Sequence, residues 1–187
     1  MIVPRNKFLE EVKIVPTPDS YQANIAAVDL RVGRKIYWPA SQTENELVGE
    51  GQPLIIQPGV HFLIQSLEYF EIPDDMMAVV YPRSGTNRKG ITVDMTGVVD
   101  PGYKGHLMIP VTNLLNVDVS FYPGERIAQI CFHRIEKHDE ELRESKYHNG
   151  GMEVKADKKY ELDALMTGTL FREKVEELNA YEKERKA

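Results

Sequence analysis

The sequence has little of what several common classes of protein require. Its 187 residues include one cysteine, Cys131, which excludes an internal disulfide and any metal site built from several cysteines. No apolar run approaches the roughly 18–20 residues that cross a bilayer. The first residues, MIVPRNKFLEEVK, lack the apolar region of a signal peptide. We therefore expect a soluble, cytoplasmic protein with no membrane partner.

An excess of basic residues is also missing. The chain has 23 Lys and Arg against 29 Asp and Glu, for a net charge of −6. Proteins that coat nucleic acid need a concentrated basic face, so we expect no nucleic-acid partner. A few local cations can still bind a nucleotide. Hydrophobic residues (42%) and charged residues (28%) are in the globular range, and the length suits a single core.

Common cofactor and metal motifs are absent as well. The sequence has no Walker loop and no dinucleotide-binding fingerprint, and its five histidines show no His-Glu-x-x-His spacing. Any phosphate-binding site must therefore be built from turns.

What the chain does have is a series of short apolar segments rich in β-branched and aromatic residues, separated by turn residues such as Pro101-Gly102 and Pro123-Gly124. They are VDLRVGRKIYW (28–38), HFLIQSLEYFEI (61–72), MMAVVY (76–81), GITVDM (90–95), HLMIPVTN (106–113), VDVSFY (117–122) and RIAQICFHRI (126–135). This spacing predicts an all-β sandwich or barrel.

The organisation along the chain follows from composition. PRNKFLEEV (4–12) predicts a short helix with proline near its first position. Polar residues 40–56 predict a looped insertion, and residues beyond Glu136 become strongly polar. We expect a β-barrel at 1–136 and a dependent arm and tail at 137–187, helical from about Thr169.

The stretch YPRSGTNRKGITVDMTGVVDPGYKG (81–105) holds the main candidate groups. Arg83 offers a guanidinium for oxyanions, Ser84 a hydroxyl, and Gly85 a close approach of the backbone to a ligand. Arg88 adds a second cation. The alternative is that Pro-Arg-Ser-Gly is an ordinary turn without function.

Asp100 has two interpretations of its own. It lies after Gly-Val-Val and directly before Pro-Gly, where aspartate often serves turn formation. It could instead be a general base, partly shielded by the valines, that orients a water molecule. The ring of Tyr103, three residues later, could pack flat on a sugar or a base.

Two polar residues stand in otherwise apolar strands. Asp29 lies in NIAAVDLRVG (24–33), and a buried carboxylate there needs a partner. Gln129 lies in YPGERIAQICF (122–132), either as a structural amide or as a reader of an anion or a base edge.

Taken in order, four blocks resemble the superfamily of dUTP diphosphatases (dUTPases) and dCTP deaminases. They are AVDLRVG (27–33), PRSGTNRKGI (82–91), TGVVDPGYKGHLMIPVTN (96–113) and PGERIAQICF (123–132), within a match over roughly 24–135. The resemblance implies a distorted jelly-roll β-barrel that forms a homotrimer. Its active sites would lie at subunit interfaces and bind deoxyuridine or deoxycytidine triphosphate.

The resemblance also implies roles for residues. Asp100 would activate the water that attacks the α-phosphorus of dUTP, with Arg83 supporting the site, and Tyr103 would pack on the deoxyribose. Mg²⁺ would be bound mainly through the substrate phosphates, with no protein metal ligands. The other implied substrate contacts are Ser84, Gly85, Arg88 and Gln129. A hairpin at 94–103, with Asp94 and Gly97, would read the uracil edge through its backbone groups, and Lys146 and Tyr147 would contact the substrate from the arm.

The branch within the superfamily is the open question. NIAAVDLRVG, Arg88 and KYHNGG (146–151) resemble dCTP deaminases, whereas Ser84-Gly85, Gly-Val-Val-Asp and GERIAQ resemble dUTPases. Deaminases carry a proton-shuttling glutamate at the position of Pro110, and proline cannot transfer a proton; Asp94 is a candidate substitute on a nearby strand. We expect a dUTP diphosphatase. The alternatives are a mono- or bifunctional dCTP deaminase and a non-catalytic, nucleotide-responsive binding protein.

The arm that closes over the phosphates is a second open point. Typical dUTPases end in a glycine-rich, arginine-containing arm, which this chain lacks. KYHNGG (146–151) is the nearest candidate, because covering the triphosphate would exclude water and strengthen charge interactions.

Overall fold

The computed structural model describes residues 1–46, 53–94 and 97–136. All of these residues lie in one compact unit. The predicted arm and helical tail, including Lys146 and Tyr147, fall outside the described residues.

Two short helices occur in the described residues. The first, α1 (Arg5–Glu11), begins after Pro4 and buries Phe8, whose ring packs 5.3 Å from that of Phe132. The predicted helix at 4–12 is thereby confirmed. The second, α2 (Ser84–Arg88), replaces the turn expected after Arg83. Neither helix is long or apolar enough to cross a membrane.

The remaining elements are strands, and every pairing between them is antiparallel. They are β1 (Lys13–Val15), β2 (Val28–Trp38), β3 (Thr43–Glu46), β4 (Leu54–Ile56), β5 (His61–Glu71), β6 (Met76–Pro82), β7 (Ile91–Val93), β8 (Val98–Val99), β9 (Lys104–Asn113), β10 (Val119–Phe121) and β11 (Arg126–Arg134).

Nine of these strands form one sheet. Its order is β7–β9–β5–β2–β11–β6–β8, with β1 added to β5 and β3 added to β2, while β10 and β4 pair separately. The long strands β5 and β9 alternate strictly between buried and more exposed residues, so one face of each packs in the core. The fold is mostly β, a curled antiparallel half-barrel, as the sequence predicts.

The prediction of a loop at 40–56 is wrong in part. Strand β3 pairs with β2 although all four of its residues are exposed, and β4 buries Leu54 and Ile56. Backbone pairing and an ion pair between Lys35 of β2 and Glu44 of β3, at 2.7 Å, hold this strand without any buried side chain, so no apolar pattern marks it in the sequence.

A close approach between β2 and β5 requires glycine at position 33. A Cβ atom there would lie 2.5 Å from the Gln65 carbonyl oxygen and 2.8 Å from that of Ser66. The register of this strand pair is irregular between Val32 and Ile36. Gly33 thus fixes how β2, which carries Asp29, lies against β5.

Candidate functional site

The centre of the candidate site is the carboxylate of Asp29 on β2. Its side chain is 10% exposed and forms an ion pair with Arg83, whose Nε lies 2.9 Å from one carboxylate oxygen. Arg126 Nη1 lies 3.2 Å from the other carboxylate oxygen. The expectation that a buried Asp29 needs a partner is confirmed, and it has two.

Arg83 is held in place by the elements on either side of it. It directly precedes α2, and its carbonyl oxygen accepts a hydrogen bond from the Asn87 N–H at 3.0 Å. Thr86 in α2 is buried and donates to the Ile127 carbonyl oxygen at 2.7 Å, which ties the helix to β11. Ser84 and Gly85 remain exposed, as does Arg88.

Gln129 joins this group through the register of the sheet. It lies opposite Asp29 of β2 on one side and Tyr81 of β6 on the other. Residues directly opposite in a sheet project from the same face. The structure therefore brings the predicted residues Arg83 and Gln129 together around Asp29, and adds Arg126, which sequence reasoning missed.

Arg126 is difficult to find from sequence because it lies opposite Arg31 of β2, beside a register shift between Arg126 and Ala128 that no motif marks. Its Nη1 also donates to the Tyr21 carbonyl oxygen at 3.1 Å. The presence of two cations on Asp29 leaves a local excess of positive charge beside the exposed Ser84.

Asp100 lies in a tight turn after β8. The N–H of Tyr103 donates to the Asp100 carbonyl oxygen at 3.2 Å, as the turn interpretation predicts. Asp100 is exposed and Val98 is 63% exposed, so in the single chain the expected shielding by both valines is wrong; only Val99 is buried. An exposed carboxylate remains free to contact a water molecule or a ligand.

Tyr103 is only 7% exposed and its hydroxyl donates to the His106 carbonyl oxygen at 2.7 Å. Burial, with a smaller contribution from Tyr69, raises the pKa of the Tyr103 phenol to about 12. Most of its ring packs in the core. Any contact with a sugar would therefore involve the remaining exposed edge.

A second polar group surrounds Asp94, directly after β7. His61 Nδ1 lies 2.9 Å from Asp94 Oδ2 and 2.9 Å from Thr112 Oγ1, and Thr112 donates to the same carboxylate. The Asp94 N–H donates to the Pro110 carbonyl oxygen at 3.1 Å. No motif in the sequence identifies His61 or Thr112, because sheet pairing brings them together.

The groups at Asp94 and Asp100 are separate from the Asp29 group. Strands β7 and β8 lie at opposite ends of the sheet order. In the described part of the chain, no hydrogen bond or ion pair joins either carboxylate to Arg83. Gly97, between them, has its carbonyl oxygen bonded to the Val80 N–H at 2.9 Å and open space around its Cα.

Comparisons with known proteins agree on one family. A family model described as dCTP deaminase-like matches residues 5–135. A protein of Methanobrevibacter smithii named "dCTP deaminase, dUMP-forming" is 36% identical over 145 residues, covering 67% of this chain and 75% of its own length. A protein of Dictyoglomus thermophilum with the same name is 37% identical over 166 residues, covering 76% of this chain and 86% of its own length.

Solved structures agree on the fold. A 2′-deoxycytidine 5′-triphosphate deaminase of Agrobacterium tumefaciens superposes with a TM-score of 0.57 at 22% identity, covering 70% of this chain and 48% of that one. This chain thus spans about half the length of that protein. A mutant dUTPase of the Staphylococcus aureus phage phi11 superposes with a TM-score of 0.51 at 15% identity, covering 72% of this chain and 97% of that one.

Two findings agree with the four blocks around Asp29, Arg83, Asp100 and Gln129. The family model matches residues 5–135, and two proteins named as deaminases are 36% and 37% identical to this chain. The chain belongs to the dCTP deaminase-like family, within the dCTP deaminase and dUTPase superfamily.

Proposed function

We propose that this chain forms dUMP by hydrolysing dUTP to dUMP and pyrophosphate. The observation that carries the proposal is Pro110, which occupies the strand position where the resemblance to deaminases predicts a glutamate. Pro110 lies within β9 opposite Leu63 of β5, so neither residue of this pair can exchange a proton. Hydrolysis of the phosphoanhydride bond between the α- and β-phosphates needs no such group next to the base.

The proposed reaction is one half of what the relatives' name describes. Conversion of dCTP to dUMP consumes two water molecules and releases ammonia and pyrophosphate. One water replaces the amino group of the base, and the other breaks the bond between the α-phosphorus and the oxygen that bridges to the β-phosphate. dUTP hydrolysis is the second of these changes. It retains the phosphate chemistry of the family without the chemistry at the base.

The phosphate half of the site would be built around Asp29. The carboxylate would orient Arg83 and Arg126, while Ser84, Arg88 and Gln129 would contact the nucleotide. The excess of guanidinium groups over carboxylates would stabilise the negative charge that develops as pyrophosphate leaves. Gly85, next to Ser84, lets the phosphates approach the backbone closely.

Asp100 would supply the base. Its exposed carboxylate would accept a proton from a water molecule as the water oxygen attacks the α-phosphorus, and the electron pair of the broken bond would leave with pyrophosphate. Asp94 and Gly97 would contact the base, and the exposed edge of Tyr103 would contact the sugar. Because these groups are separate in one chain, we propose that a homotrimer brings them together across a subunit interface.

Mg²⁺ would enter with the triphosphate and neutralise part of its charge, since this ion prefers oxygen ligands and substrate phosphates. In the described part of the chain, no three Asp, Glu, His or Cys side chains form a metal-binding group. The contribution of the chain would then be to bind the remaining phosphate oxygens through Arg83, Arg88 and Ser84.

Deamination of dCTP is the second candidate, with or without loss of pyrophosphate. The relatives favour it, because those named above are called dCTP deaminases rather than dUTPases. Asp94 also favours it, since its N–H is bonded to the Pro110 carbonyl oxygen and its carboxylate to His61. A histidine paired with a carboxylate is a common proton-transfer arrangement.

The proposal is tested by replacing Asp100 with asparagine in the full chain. We expect hydrolysis of dUTP to fall by about 10²–10⁴-fold, because the general base is lost, while dUTP binding measured by calorimetry stays near that of the parent protein. Asp118→Asn, an exposed carboxylate outside the site, is the matched control and should leave turnover unchanged. Undiminished dUTP hydrolysis in the Asp100 variant would exclude this mechanism.

A further inference from the structure

Glu68 on β5 is a fully buried carboxylate, 0% exposed. Its Oε1 accepts from Arg31 Nε at 2.6 Å and from Gln22 Nε2 at 2.8 Å, and its Oε2 accepts from the Arg31 N–H at 2.9 Å. A buried charge is tolerated when its oxygens are satisfied in this way. Glu68 and Gln22 lie outside the four blocks that carry the family resemblance, whereas Arg31 lies within the first of them, AVDLRVG (27–33).

Gln22 connects this buried charge to the candidate site. Its Nε2 donates both to Glu68 and to the Asp29 carbonyl oxygen, the latter at 2.8 Å. In return, the Asp29 N–H donates to the Gln22 carbonyl oxygen at 2.9 Å. Both backbone polar groups of Asp29 are therefore bonded to Gln22, whose amide is held by Glu68.

Arg31 holds the same strand from a second point. It lies two residues after Asp29 on β2, so the two side chains project from the same face. Its backbone N–H and its guanidinium both bind Glu68. Glu68 thus fixes β2 directly at Arg31 and, through Gln22, at Asp29.

The direction of the Asp29 carboxylate determines where two guanidinium groups point. Arg83 and Arg126 both bind that carboxylate and are themselves 26% and 44% exposed. A small rotation of β2 would move both arginines relative to Ser84. Misplacement of binding groups by about 1 Å can reduce turnover by about 10²-fold.

We propose that Glu68 and Gln22 are positioning residues, which act through Asp29 to hold Arg83 and Arg126 in the geometry that binds the triphosphate. The inference rests on the proposed function for the identity of the ligand. A purely structural Glu68 would affect folding stability and leave the Asp29–Arg83 pair as it is. The two roles differ in what they predict for Arg83.

The test uses Glu68→Gln in the full chain, alone and combined with Arg83→Lys. Glu71→Gln is the matched control, because Glu71 lies on the same strand and pairs with Lys13 at 2.5 Å, away from Asp29. We expect Glu68→Gln to lower kcat for dUTP and to raise KM, each by about ten-fold, because the displaced guanidinium groups would serve both phosphate binding and the developing charge. In the double variant we expect no loss beyond that of Arg83→Lys, because both changes remove the same positioned guanidinium. Glu71→Gln should leave kcat unchanged in either background.

A second readout follows the arginine itself. In ¹⁵N-labelled protein, the Nε–H resonance of Arg83 should be sharp in the parent protein and in the Glu71 variant, and broadened or shifted in Glu68→Gln. If Glu68→Gln does not fold, Glu68→Asp retains the charge on a side chain one methylene shorter and should show the same change. An unaltered Arg83 resonance, or losses in kcat that multiply in the double variant, would overturn the proposal.

Failure of the proposed function can be distinguished from failure of the positioning role. If the parent protein does not hydrolyse dUTP, that function is wrong, while the affinity of dUTP and the Arg83 resonance still test positioning. In that case we expect Glu68→Gln to weaken dUTP binding by about ten-fold. Equal affinity in the two proteins would overturn the positioning role.

Discussion

Tyr103 combines a buried hydroxyl with a pKa raised by desolvation to about 12, from an ordinary value of 10.0. A phenol that ionises less readily in the folded state stabilises the fold at pH values below 10. That contribution is lost as the pH rises from 10 toward 12, because the unfolded chain then ionises first. A difference of two units between the pKa values of the folded and unfolded states corresponds to about 2–3 kcal/mol of folding free energy.

We predict that Tyr103→Phe lowers the free energy of unfolding at pH 7 by about 1 kcal/mol, since the hydrogen bond to the His106 carbonyl oxygen is lost. Between pH 10 and 12 the variant should lose less stability than the parent protein, because it has no phenol to ionise at this site. Urea unfolding at several pH values measures both effects. Tyr122→Phe, at a tyrosine that is 50% exposed, should change neither. Identical alkaline declines in Tyr103→Phe and the parent protein would contradict the account.

Pro110 provides a test by gain of function. We predict that Pro110→Glu releases ammonia from dCTP at a rate above that of the parent protein, because a carboxylate then stands where deaminases carry one. Ammonia release from dCTP and dUMP release from dUTP are followed in parallel. Pro110→Gln, which has nearly the same shape and no base, is the control. If both variants remain inactive on dCTP while still hydrolysing dUTP, position 110 alone does not decide between the two reactions.

Residue by residue, the sequence predicted the candidate site unevenly. A lone carboxylate in an apolar strand was sufficient to predict that Asp29 has a partner, because an unpaired buried charge is too costly. Its second partner, Arg126, was not predicted, because it lies beside a register shift in the β11–β2 pairing that the sequence pattern does not reveal. Glu68 lies in an alternating strand where polar residues are also expected on the exposed face, so its burial was not foreseen.

At the scale of elements, the long strands were the most predictable. Strands β5 and β9 alternate in burial along their whole length, and both are visible in the sequence as segments rich in apolar, β-branched or aromatic residues between turn residues. Strand β8 has two residues and β3 has no buried residue, so neither shows a period. Helix α2 has five residues and one buried side chain, too few for a helical pattern.

Gly33 gives an element-scale prediction. We expect Gly33→Ala to lower the free energy of unfolding by about 1–3 kcal/mol, because its Cβ would approach carbonyl oxygens of β5 as closely as 2.5 Å. Gly97→Ala is the control, since nothing lies within 4 Å of the added atom, and it should stay within about 0.5 kcal/mol of the parent protein. Chemical denaturation measures both variants. Equal stability of the Gly33→Ala and Gly97→Ala variants would show that β2 and β5 can move apart without loss of stability.

At the scale of the whole molecule, the fold and the family are shown, while the choice of substrate is the proposal. The half-barrel places Asp29 and its arginines in the middle of the sheet, with Asp94 and Asp100 following strands at its two ends. The sequence identified the superfamily because four blocks occur in the right order. It could not place the chain in one branch, since those blocks contain features of both.

The most direct measurement offers dUTP and dCTP separately to the full chain with Mg²⁺, and follows nucleotide, pyrophosphate and ammonia. We predict dUMP and pyrophosphate from dUTP, with dCTP unchanged. Ammonia released from dCTP would contradict this prediction, and would place this chain with the dUMP-forming deaminases whose sequences it resembles.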